Sequence, residues 1–136
     1  MMNIIFDKAV RRRDKRGFLV DFIKGDEMSK DHQKLGQIYF VTFENAGVIR
    51  GNHYHETKDE WFVVIAGTVK LIAEDIKTHE RMERILDGNN DEYERVFIGK
   101  NIAHTFQNIS ETAMMIDYAD KPYHNDAPDT IPYQLL

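Results

Sequence analysis

The sequence contains no cysteine, so disulfides and thiolate metal sites are unavailable, and any metal has to be held by histidine and carboxylate side chains. No apolar run approaches the roughly 20 residues needed to span a bilayer. A signal-peptide order is missing too, because the short apolar stretch at the start precedes the basic residues instead of following them. A cytoplasmic protein with no membrane partner is expected. Basic excess is also lacking: the formal net charge is −5. Nucleic acid, which is bound by basic surface that displaces counterions from phosphates, is therefore not an expected partner. The local exception is Arg11, Arg12, Arg13, Lys15 and Arg16, a cluster that suits either a diphosphate or plain solvation.

Helical periodicity is absent beyond one turn around Asp26 to Gln33. In its place are short apolar segments rich in β-branched and aromatic residues: Asn3–Phe6, Phe18–Ile23, Ile38–Phe43, Trp61–Ala66, Val69–Ala73, Arg81–Leu86, Arg95–Ile98, Thr105–Ile109 and Ala113–Tyr118. Gly47, Gly51, Gly67, Gly88 and Gly99 fall between them as turn signals. The pattern predicts an all-β sandwich or closed barrel, and closure removes exposed strand edges. At 136 residues the chain has the length of one ordinary domain, and 1–136 is read as one. Its expected parts are a core at 37–118, an N-terminal strand arm at 1–23 and an extended tail at 122–136 that lies over the surface or on a partner subunit.

Chemistry concentrates in GNHYHETKDE. His53 and His55 are two residues apart, so on a strand both point to one face. Two inward imidazoles need a metal or a polar pocket, because burial without partners costs desolvation energy. Glu60 opens the next apolar segment, and His104 follows a glycine-containing loop in IGKNIAHTFQN. Alone, each would more often be a satisfied core or surface residue. Together, His53, His55, Glu60 and His104 suit a divalent metal such as zinc, iron, manganese, nickel or copper, with open positions for water or substrate.

These residues resemble the cupin superfamily. Gly47, His53, His55, Glu60 and Gly67 match every position of its first motif, and His104 and Asn108 match the metal-binding half of the second. The preceding Pro and Gly of that second motif are replaced by Gly99 and Asn101. The resemblance implies a jelly-roll β-barrel. GVIRGNHYHETKDEWFVVIAG resembles, more narrowly, the cupins of deoxysugar biosynthesis. Arg50, Gly51, Asn52, His53 and Tyr54 match the signature of the 3,5-epimerases, and Ile38, Tyr39 and Phe40 ahead of Arg50 are similar to the sugar 3,4-ketoisomerases. RGNHYH, Thr57, Lys58, Glu60 and the Pro128, Asp129, Thr130 tail are closest to the C-terminal cupin of capsular polysaccharide reductase-epimerases.

That resemblance implies an enzyme, an epimerase or ketoisomerase, acting on a nucleotide-linked 4-keto-6-deoxyhexose. His53 aligns with the family's base, and Arg50 with an arginine that contacts the diphosphate. Asn52 and Lys58 join Arg50 as expected substrate-binding residues. The proton donor, a tyrosine on a late strand of the epimerases, aligns here with Asp117, with Tyr118 beside it; Tyr118 and Tyr39 are the tyrosine candidates, each open to a plain packing role. An imidazole that ligates a metal is no base, so the two roles of His53 exclude each other. The capsular type implies zinc. A homodimer pairing sheet edges and exchanging N-terminal segments is expected. The competing readings are a metal-dependent oxygenase and a non-catalytic sugar-binding cupin.

Overall fold

The computed structural model describes residues 2–136, the side chains of Ala9, Val10 and Tyr93 excepted. Eleven strands follow one another: β1 Ile4–Asp14, β2 Gly17–Val20, β3 Gln37–Phe43, β4 Ile49–Tyr54, β5 Glu60–Ala66, β6 Thr68–Asp75, β7 Arg81–Asp87, β8 Glu92–Ile98, β9 Ile102–Asn108, β10 Ala113–Ala119 and β11 Ile131–Pro132. They form two antiparallel sheets, ordered β2-β1-β8-β5-β10-β3 and β11-β4-β9-β6-β7. Among the described residues two short 3-10 turns, Gly25–Glu27 and Lys30–His32, interrupt the strands, where one helical turn was expected. Among the described residues no helix is long and apolar enough to cross a membrane.

Alternation builds the core. Phe43, Leu71, Val96, Phe106 and Met115 point between the sheets and are almost wholly buried. The predicted strands are present, though β2 ends at Val20, β8 begins at Glu92 and β9 at Ile102, and two further differences bear on the site. Strand β1 runs well beyond Phe6, because Arg11 to Asp14 pair with Val20 to Gly17 in a hairpin. Within that hairpin Arg12, Arg13 and Arg16 sit in exposed ion pairs with Asp21, Asp91 and Asp14, so the basic cluster is largely neutralised in place. Strand β4 carries Gly51, which reads as a turn signal but lies with Asn52 in a bulge within the strand.

The tail takes the first of its two expected placements, over the chain's own surface. It folds back on its own barrel: β11 pairs with β4, Leu135 is buried, and Arg81 donates to the Leu135 carbonyl. Asn52, expected to meet substrate, is part of this anchorage. Its carboxamide accepts from Leu135 N and Leu136 N and donates to Leu136 O, so a structural role replaces the expected one.

Candidate active site

The open end of the barrel holds a cavity of about 260 Å³. From the five-stranded sheet come Arg50 and His53 on β4 and His104 on β9; from the six-stranded sheet come Tyr39 on β3, Glu60 on β5 and Asp117 on β10. His55 and Lys58, in the β4–β5 connection, and Tyr123 and Thr130, in the tail, complete the wall. Glu60 therefore reaches the histidines from across the barrel, since β5 belongs to the other sheet.

Local backbone places the imidazoles. Gly51 has φ 118°, and a Cβ there would sit 2.7 Å from the His104 carbonyl oxygen, so only glycine lets β4 approach β9 this closely. Asn52, at φ 54°, takes the left-handed conformation that asparagine tolerates. The bulge sets His53 opposite His104 across the ladder, with ring centroids 5.0 Å apart, and His55 lies 4.9 Å from His53. A ring nitrogen from each of the three lies within 4.8 Å of the others.

Two of the rings are held in one orientation. His55 Nδ1 donates to the Asp129 carbonyl at 2.6 Å, and His104 Nδ1 donates to the Ile102 carbonyl at 3.0 Å. Each then presents Nε2 to Glu60 Oε1, at 2.7 and 3.6 Å. With Nδ1 already donating, the close approach of His55 Nε2 to a carboxylate requires a cation there, a proton on the ring or a metal ion. Glu60 Oε1 is buried and makes no well-oriented hydrogen bond. Imidazoles oriented through Nδ1, with Nε2 turned toward a buried carboxylate oxygen, form a donor set that could hold a divalent ion.

Electrostatics divide the groups by protonation state. Burial, then the neighbouring imidazoles, push His53 down to about 3, so it is neutral at physiological pH. Burial likewise lowers His104. Burial opposes protonation of His55 as well, but the Glu60 carboxylate outweighs it and raises this ring. Glu60 is itself held below the usual carboxylate range, because His55, then the Asp117 carboxyl and the His104 imidazole, overcome its burial. Asp117 is pushed up to about 11 by burial and by the Glu60 charge beside it. Tyr39, raised by burial and then by those carboxyls, is also protonated.

Arg50 keeps an exposed guanidinium, with Nε donating to the Thr42 carbonyl at 3.0 Å. Lys58 is buried, its Nζ 5.7 Å from the Tyr123 ring centre. Tyr118 is not part of the cavity. Its hydroxyl donates to the His32 and Lys34 carbonyls on the outer face of the sheet, and its ring packs on Trp61. Adjacent strand residues face opposite ways, so with Asp117 inside, Tyr118 is outside and is no proton donor. Tyr123 carries no motif and was not legible as a cavity residue.

Two antiparallel sheets closed around a histidine-lined cavity define a cupin-type jelly-roll barrel. The chain belongs to the polysaccharide biosynthesis C-terminal domain family, whose model matches residues 12–131. It is 27% identical over 126 residues to the spore coat polysaccharide biosynthesis protein SpsL of Bacillus subtilis, covering 90% of this chain and 82% of SpsL. The fold matches the capsular polysaccharide assembling protein CapF of Staphylococcus aureus with a TM-score of 0.69 and 24% identity over 93% of this chain. This chain spans 34% of CapF's length. NovW of Streptomyces spheroides, a 4-keto-6-deoxy sugar epimerase, matches with a TM-score of 0.75 and 19% identity, over 90% of this chain and 66% of its own.

Proposed function

We propose that this chain is an epimerase or ketoisomerase acting on a nucleotide-linked 4-keto-6-deoxyhexose in the biosynthesis of a surface polysaccharide or deoxysugar. One observation carries the reading: neutral His53 on one sheet faces protonated Asp117 and Tyr39 on the other, across a single cavity. Moving a proton beside a ketone, to the opposite face or to the next carbon, needs an acceptor on one side of the sugar and a donor on the other. A keto oxygen that gains negative charge on deprotonation is served by hydrogen-bond donors such as these. Arg50, at the exposed rim, suits the diphosphate, and buried Lys58 a further anionic or carbonyl oxygen. The family and NovW's activity support this substrate class.

A divalent metal, zinc among the ions that suit imidazole and carboxylate donors, belongs to the same reading. His53, His55 and His104 would hold it, with Glu60 beside them. Such an ion supplies Lewis-acid polarisation of a substrate oxygen. Without an ion His53 would accept the proton; with one held, its lone pair would be committed and the acceptor would be another group at the cavity.

A homodimer completes the proposal. Strand β3 is the outer strand of its sheet, and on its outward face Phe40 is 77% and Ile38 56% exposed. An open edge with apolar side chains is a surface that a second copy covers.

Incubating the protein with a nucleotide-linked 4-keto-6-deoxyhexose in deuterated solvent tests the activity. Deuterium at the carbon next to the ketone, with no oxygen consumed, is expected. Binding without exchange would leave a sugar-binding module, and oxygen uptake an oxygenase; either overturns the proposal.

A further inference from the structure

The two oriented imidazoles are held by different means. His104 donates to Ile102, two residues away on its own strand, so its orientation comes with β9. His55 donates to Asp129, 74 residues further along the chain, so its orientation depends on how the tail docks. Asp129 is placed with unusual care. Its φ of 47° is left-handed, a strained state for a residue other than glycine and one that persists only where surrounding contacts enforce it. Those contacts are made by its own carboxylate, which accepts from Glu56 N at 2.9 Å, Thr57 N at 3.0 Å and Thr57 Oγ1 at 2.6 Å. Lys121 Nζ donates to the Thr57 carbonyl, and the tail adds Tyr123 and Thr130 to the cavity wall.

We infer that Asp129 is a positioning residue for the site. Its carboxylate clamps the connection that carries Lys58 toward Glu60, and the clamp holds its carbonyl against His55 Nδ1, so that His55 Nε2 faces the cavity. The C-terminal segment is thereby part of the functional site rather than a surface arm. The inference deepens the epimerase or ketoisomerase reading and rests on it only for its kinetic arm.

Imidazole nitrogen NMR of Asp129→Ala, in the purified and the chelator-treated protein, tests the inference without substrate. In the wild type His55 should show a slowly exchanging Nδ1 proton, with Nε2 protonated or metal-bound. In Asp129→Ala that signature should be lost while the His104 signature stays. Turnover of the keto sugar should fall 10- to 100-fold, the range for losing an outer hydrogen-bond partner of a site histidine, with KM changed less than twofold. Asp129→Asn tolerates the left-handed backbone and keeps an acceptor oxygen, so it should restore most of both readouts. If Asp129→Ala does not fold, Thr57→Val, which removes one contact of the clamp, should show the same changes in smaller measure. An unaltered His55 signature in a folded Asp129→Ala, or in Thr57→Val where that variant stands in, overturns the inference. A wild type with the His55 signature but no turnover counts against the proposed activity and leaves the role of Asp129 standing.

Discussion

Glu60 and Asp117 bring two buried carboxyls to one cavity from neighbouring strands, and their environments push them in opposite directions, Glu60 down and Asp117 up. Two buried carboxyls in contact cannot both carry charge, and Glu60 keeps its charge because the imidazoles of His55 and His104 face it. The proton stays on Asp117, which faces the cavity where its neighbour Tyr118 faces away.

The asymmetry makes stability depend on pH in a known direction. Asp117 ionises near 4 in the unfolded chain and at about 11 in the fold. The native state therefore retains a proton that the unfolded state releases. The stability contributed by the protonated carboxyl is whole below about pH 4 and is lost progressively as pH rises from there toward about 11. Asp117→Asn keeps the neutral shape without that loss. Its melting temperature relative to wild type should rise between pH 5 and pH 8, and its turnover should fall ~100-fold or more if the carboxyl donates a proton. A stability difference that does not change with pH would contradict the assignment.

Metal content separates the two roles of His53. Elemental analysis of purified protein should give about one divalent ion per chain, and His104→Ala, which removes a buried converging nitrogen, should lower that sharply. Chelation should then abolish turnover. Metal far below one equivalent with full activity would leave His53 as the base.

Arg50→Ala should weaken binding of a nucleoside diphosphate tenfold or more. Its stability should stay within about 0.5 kcal/mol of wild type, because the guanidinium is exposed and its hydrogen bond runs only to the Thr42 carbonyl. Lysine should rescue poorly, lacking the planar fork that meets two phosphate oxygens. Unfolding with unchanged nucleotide affinity would make Arg50 structural.

Gly51→Ala should be among the most damaging changes of one atom's size. Its φ of 118° alone costs a side chain about 1–3 kcal/mol, and the new Cβ meets backbone of His104 and Thr105, which cannot move without parting β4 from β9. Equilibrium unfolding measures the loss; a wild-type midpoint would show that the two strands separate more easily than described.

Phe40→Asp should convert a dimer to a monomer by light scattering at micromolar concentration, because a charge on the outward face of β3 opposes burial against a second copy. A wild type that is already monomeric removes the dimer from the proposal.

The sequence by itself determined the all-β architecture, since two-residue alternation and glycine punctuation are local signals, readable without knowing which strands pair. It also determined that His53, His55, Glu60 and His104 belong together, because spacing and motif order survive any detail of register. Tertiary structure alone decided the rest. Asp117 lies inside and Tyr118 outside because the register of β10 against β3 and β5 sets the face of every residue on the strand. Asn52 anchors the chain end, and Asp129 holds His55, through hydrogen bonds to residues more than 70 positions away. Neither contact leaves a periodic trace in the chain, because each depends on where the tail comes to rest once the barrel has closed.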